Sequence, residues 1–223
     1  RGLTPSGNYL SINTGDISDH GILGPNYLSP GTDNPAFSLV GKSSLGDIDI
    51  QGNTLWVVNT KDRQLIKIDI TNVSSPSVSL VFPINTTTLG KTATNGELRP
   101  WGIEIGSDGS VYIGVVATAE YVTPSTPSTA GPIDLNNTTI RESLANRSKL
   151  KGYVFKLDES SGNFSQALVI ELNYLRGSPG VGVLNTAEWL PWFDDYSLGF
   201  PNVGDGYYQI YPQPIIVDME IID

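Results

Sequence analysis

The chain contains no cysteine, one histidine and one methionine in 223 residues. Without thiols there is neither a disulfide framework nor a thiolate metal site. The single imidazole, His20, falls in a predicted loop, so a Ser-His-Asp arrangement or a histidine-held metal would have to be assembled around that one position. An exposed loop histidine is the plainer reading. Positive charge is also scarce: 13 Lys and Arg stand against 23 Asp and Glu, a net charge of −10. Nucleic acid and anionic membrane surfaces need clustered Lys and Arg, so neither is expected as a partner. No apolar run approaches the roughly 20 residues of a spanning helix, so membrane insertion is not expected. Residue 1 opens no signal peptide, and an export signal is expected to have been removed. No glycine-rich loop follows a strand and opens a helix, which leaves nucleotide binding without support.

What the chain does have is turns, strands and repetition. Gly 24 and Pro 15 suit many short strands. The stretch Leu45-Gly46-Asp47-Ile48-Asp49-Ile50, a Gly52-Asn53 turn and Leu55-Trp56-Val57-Val58-Asn59 predict a hairpin. It recurs as Trp101-Gly102-Ile103-Glu104-Ile105, a turn at Ser107 to Ser110, and Val111-Tyr112-Ile113-Gly114-Val115-Val116, and starts again at Val217-Asp218-Met219-Glu220-Ile221. Hairpins repeated at this scale and flanked by further period-2 strands predict an all-β fold, a β-propeller of four-stranded antiparallel blades. The bare third unit predicts an incomplete fragment of a propeller of about six to eight blades, since folded proteins avoid an open sheet edge.

The predicted partial propeller occupies residues 1–223, with blade units at about 45–84, 98–172 and 211–223 onward. Before the first unit, Asn8 to Ile12 and Ala36 to Val40 read as strands, separated by a loop from Gly15 to Asn34. In the first unit, strands follow at Gln64 to Ile70 and Ser77 to Phe82. The stretch from Asn85 to Arg99 reads as a connection. The second unit carries an insertion over 117–150, in which Thr139-Ile140-Arg141-Glu142 has the form of a capping box and predicts one short helix through Leu150. It resumes at Gly152 to Asp158 and Ala167 to Leu172. An excursion over 174–210 and its margin holds nine aromatics and is too apolar for a linker. Six Asn-x-Ser/Thr sites, at Asn72, Asn85, Asn136, Asn137, Asn146 and Asn163, add weak support for surface exposure.

Aligning the repeats places Asp49, Glu104 and Glu220 in one column and Asp47 and Asp218 in another. Near a propeller axis such carboxylates must be paired, hydrogen-bonded, protonated or metal-bound. Hard oxygen ligands suit Ca²⁺, so Asp47, Asp49, Glu104, Asp218 and Glu220 are candidate calcium ligands. The plainer reading is that each accepts backbone N–H bonds or pairs with a cation such as Arg99. In the excursion, Trp189, Trp192 and Tyr196 beside Asp194 and Asp195 have the chemistry to stack and hydrogen-bond a glycan; equally, the rings are a small core that pins the loop. No pair of carboxylates is fixed at the separation that glycoside hydrolysis needs.

Gly46-Asp47-Ile48-Asp49-Ile50 with Leu55-Trp56-Val57-Val58-Asn59 and Asp62-Arg63-Gln64-Leu65, then Arg99-Pro100-Trp101-Gly102-Ile103 with Val115 to Glu120, then Tyr211-Pro212-Gln213-Pro214-Ile215-Ile216-Val217-Asp218-Met219-Glu220, occur in this order. Together, over roughly residues 36 to 223, they resemble the N-terminal β-propeller of very large bacterial cell-surface and adhesin-like proteins, which often precedes repeated immunoglobulin-like or cadherin-like modules. The resemblance implies a secreted, surface-displayed scaffold, part of a larger polypeptide, with no established catalytic residues and with a surface glycan or protein as partner. Against that non-enzymatic reading stands a calcium-dependent hydrolase or lactonase built on the acidic column.

Overall fold

Short runs that alternate apolar and polar side chains, as Gln64–Asp69 does, or that are apolar almost throughout, as Val111–Ala117 is, become strands. In the computed structural model, which describes residues 10–14, 41–93, 96–120, 146–174, 189, 191–192, 202–203, 207–208 and 214–221, eight such strands form two sheets. The first holds β1 (Leu45–Gln51), β2 (Thr54–Asn59), β3 (Gln64–Asp69) and β4 (Ser77–Pro83), each antiparallel to the next. The second repeats that meander with β5 (Leu98–Ile105), β6 (Val111–Ala117), β7 (Lys151–Asp158) and β8 (Asn163–Glu171). A two-residue pair, β9 (Asn202–Val203) and β10 (Tyr207–Tyr208), lies in the aromatic-rich excursion.

Both predicted blade units are thus four-stranded antiparallel sheets. The turns follow the residues that permit them: Gly52 at φ 58° closes β1 onto β2, with Gln51 opposite Thr54. Between β5 and β6, the Asp108 carboxylate accepts from Ser110 N and Oγ, both at 2.8 Å, and Gly109 takes φ 81°.

The sheets pack face to face. Trp56, Val58, Leu65 and Phe82 from the first meet Ile103, Ile113, Val115 and Phe155 from the second. At roughly 1.5–3 kcal/mol for each large apolar side chain removed from water, this layer is the main source of stability. The far face of the first sheet buries Val57, Ile66 and Ile68 under Leu10 and Ile12. The far face of the second packs Val116, Leu150 and Leu172 against Trp189 and Ile216.

The two sheets stand open, and no closed ring is formed among the described residues. Three expectations change. Among the described residues the α-helix is α1 (Thr86–Leu89), in the predicted connection: Asn85 Oδ1 accepts from Thr87 N and Thr88 N, Thr88 Oγ1 accepts from Asn85 N, and Gly90 ends the turn at φ 58°. Of the predicted helix up to Leu150, the described residues form a 3-10 turn at Asn146–Lys149, and its capping box lies outside the described residues. Residues 10–12 and 214–221 were expected in strands but carry no ladder; both lie along a sheet through side-chain contacts instead.

Candidate functional site

The two inter-sheet edges at β1 and β5 bring the acidic columns together. β1 runs beside β5 in the same direction, so close that a Cβ on Gly46 would stand 2.7 Å from the Trp101 carbonyl oxygen. Asp47 and Asp49 therefore face the β5 backbone. Asp47 Oδ2 accepts from Ile103 N at 3.2 Å, and Asp49 Oδ2 accepts from Ile105 N at 3.0 Å. Their other oxygens accept from Ile48 N at 2.8 Å and Ile50 N at 2.6 Å. Each carboxylate thus ties its own strand to the neighbouring sheet, a charge-assisted bond stronger than one between neutral groups.

The same relationship recurs one unit on. A Cβ on Gly102 would stand 2.8 Å from the Ile216 carbonyl oxygen, so 214–221 lies along β5 as β5 lies along β1. Glu104 accepts a hydrogen bond from the Ile221 backbone. In the aligned columns, Asp49 to Ile105 and Glu104 to Ile221 are the same step.

Burial raises the Glu104 pKa first, and the nearby charge of Asp49 raises it further; the Ile221 amide opposes both, and Asp218 and Glu220 add repulsion. Asp49, Asp218 and Glu220 therefore lie near enough to Glu104 for their charges to act on it. Among the described residues no group of three or more acidic or histidine side chains is placed to hold a metal ion. The oxygens of Asp47, Asp49 and Glu104 go separately to backbone amides.

Across each sheet the acid heads an equivalent row that sequence alone did not reveal. Asp49 is opposite Trp56, which is opposite Lys67; Glu104 is opposite Tyr112, which is opposite Lys156. In both rows the ammonium lies over the ring, 5.0 Å from the Trp56 centroid and 5.6 Å from that of Tyr112. Lys67 also pairs with Glu159 beyond β7, bridging the sheets, and Lys156 reaches Asp108 at 3.9 Å. The period-2 pattern places these residues on one face, but only the strand register sets them in line.

The cation suggested as partner for the acids goes elsewhere. Arg99 pairs with Glu97, which Arg63 also approaches at 3.7 Å, and reaches the Thr60 carbonyl at 3.5 Å. A second polar junction lies at the start of the predicted insertion: Thr118, Ala119 and Glu120 are buried after β6. Glu120 accepts from Lys42 Nζ at 2.6 Å, with only 7% and 11% of the two side chains exposed. Thr118 N donates to the Glu97 carbonyl, its hydroxyl accepts from Glu97 N, and its carbonyl accepts from Trp192 N at 3.0 Å.

Trp192, offered as a glycan platform, is instead 1% exposed. Its ring lies under Gly41 and Ile215, and its indole N–H donates to the Pro214 carbonyl at 3.2 Å. So buried, it presents no face for stacking. Trp189 packs against the far face of the second sheet, edge-on to Tyr174 at 6.2 Å. Asp194, Asp195, Tyr196 and His20 lie outside the described residues. Compared with known protein families, with characterised proteins and with solved structures, the chain matches none.

Proposed function

We propose that the chain is a run of successive blades of a β-propeller, acting as a non-enzymatic scaffold of a secreted or bacterial cell-surface protein. The observation that carries this reading is the recurrence of one contact. The operation that takes the first sheet to the second, Asp49 to Ile105, also takes the second to 214–221, Glu104 to Ile221. Successive propeller blades are related in that way. The use of the acids supports a scaffold: carboxylates committed to backbone amides stiffen an array, whereas a catalytic acid or ion site needs oxygens turned toward substrate. On this reading the long connections between sheets, with the rest of a larger surface polypeptide, meet a glycan or a protein partner in adhesion or extracellular assembly. Antibody labelling of intact producing cells, with fractionation, tests it; protein found only in cytosol overturns it.

A calcium-dependent role keeps one observation in its favour, the closeness of Asp49, Asp218 and Glu220 to Glu104. Dialysis against Ca²⁺ or chelator separates the two readings. A scaffold held by amide bonds keeps its melting temperature, while an ion held only by the folded state raises it by mass action.

A further inference from the structure

The turn from β2 to β3 and the connections 84–97 and 118–150 leave the two sheets at one end, while shorter turns after β1, β3, β5 and β7 close the opposite end. At the first end, between the β2–β3 turn, α1 and the entry to β5, lies a cleft of about 200 Å³. It belongs to the junction of the two sheets and to neither end of the array. Its deep lining is apolar, from the buried Ile84 and Leu98 with Ala93 beside them. Its outer lining is polar and carries one cation, Arg63. That residue holds φ 52°, in the left-handed region that favours glycine. Its guanidinium makes no hydrogen bond among the described residues and only approaches Glu97 Oε1 at 3.7 Å, because Glu97 is already paired with Arg99 through Oε2. Two cations thus share one carboxylate, and a positive charge is left over at the cleft. Around it, Asn85 gives Oδ1 to the amides of Thr87 and Thr88. Its Nδ2 and the hydroxyls of Thr86 and Thr92 have no partner among the described residues.

We propose that this cleft binds a carboxylate-bearing sugar unit, a hexuronate. Its carboxylate accepts from Arg63, whose planar fork matches that group and leaves Glu97 with Arg99. Its ring hydroxyls meet Asn85, Thr86 and Thr92, and its apolar C–H face rests on Ile84 and Leu98. The size agrees: about 200 Å³ is below the roughly 300–1,000 Å³ of sites for drug-sized ligands, which leaves room for one sugar ring. A sugar fits better than an acidic peptide, because the lining offers hydroxyl and amide side chains rather than a row of backbone groups to pair with a second main chain. The inference deepens the glycan-partner reading above and rests on it, and it names the acidic class of glycan and the place where one unit is held.

Amide-resolved NMR titration of the full chain with galacturonate to about 50 mM, at fixed sodium concentration, tests it. The expected result is a saturable shift at the amides of Arg63, Thr86, Thr92 and Leu98, with a Kd on the order of 1 mM. Galactose, which keeps the hydroxyls, and acetate, which keeps the carboxylate, should each bind about tenfold more weakly or worse. R63G takes φ 52° without strain, so it removes the guanidinium and keeps the fold, which circular dichroism checks. It should lose about tenfold or more in galacturonate affinity. T92V, at an exposed position, is the independent variant, with a loss of about two- to tenfold. No saturable shift at these residues overturns the proposal. So does galactose or acetate binding as tightly as galacturonate, R63G binding as the natural chain does, or a polyglutamate peptide that binds the cleft more tightly than the sugar acid. A galacturonate trimer presents the same unit within a polysaccharide and should shift the same amides. A trimer that leaves them unmoved while galacturonate binds keeps the site and overturns the glycan as partner, so the two failures are distinguishable.

Discussion

The carboxylate of Asp49 and the amide nitrogen of Ile105, 56 positions apart in sequence, meet at 3.0 Å and join two separate sheets. Neither residue belongs to a ladder between the sheets, so this bond and its Asp47 counterpart supply the direction and register that apolar packing alone leaves loose. Asp49→Ala removes the acceptor and leaves the Ile105 amide to half-exposed surroundings. A loss of about 1 to 2 kcal/mol is expected, the lower part of the range for charge-assisted bonds because the site is partly wet. In thermal unfolding this reads as a fall of roughly 2–8 °C. Asp49→Asn keeps an acceptor oxygen and should recover more than half.

Glu104 gives the opposite response. Its folded pKa is raised by burial and by Asp49, so between the unfolded glutamate value, about 4.3, and that raised value the folded state holds more protons than the unfolded. Stability then falls as pH increases through this window. Glu104→Gln keeps an oxygen for the Ile221 amide and discards the charge. The variant should melt higher than the natural chain at neutral pH, with the gap closing as pH drops toward the unfolded value. A gap that widened on acidification would contradict the repulsion assigned to this carboxylate.

Close approach of backbones makes two glycines indispensable for the same reason at successive repeats. A methyl group on Gly46 would meet the Trp101 carbonyl at 2.7 Å, and one on Gly102 would meet the Ile216 carbonyl at 2.8 Å. Main chain cannot swing aside as a side-chain tip does. Gly46→Ala and Gly102→Ala should each cost about 1–3 kcal/mol. A Cβ on Gly52, by contrast, meets nothing within 4 Å, though its φ of 58° keeps a smaller penalty of roughly 1–2 kcal/mol for alanine. Denaturant midpoints of the three variants measure the difference.

The hairpins were legible because six to eight residues of alternation, bounded by Gly and Asn, leave little choice but strand. The acidic columns were legible because repeats align without knowledge of the fold. The Trp56–Lys67 and Tyr112–Lys156 stacks were not, since cross-strand order depends on the register between β2 and β3 or β6 and β7. Asn85 concealed a helix start because its reciprocal partner is Thr88, where a Glu or Gln would have marked a capping box in sequence. The burial of Thr118 to Glu120 was not legible, because it depends on Lys42 and Trp192, which approach from distant sequence.

That buried junction sets the last expectation. With 11% and 7% of their side chains exposed, Lys42 and Glu120 have given up most of their hydration for each other. Removing one partner takes from the other the ion pair that offsets its desolvation, so Lys42→Met and Glu120→Gln should each destabilise, by less than the about 3–5 kcal/mol of a fully buried pair. Replacing both ions together, as Lys42→Met with Glu120→Leu, removes both desolvated charges. The double variant should therefore be more stable than Lys42→Met alone, a non-additivity that a double-mutant cycle reads directly. The attraction is screened little by salt because the pair is enclosed. Its coupling energy should hold nearly constant as ionic strength rises, whereas that of Lys151 with Glu171, whose side chains are 33% and 50% exposed, should fade.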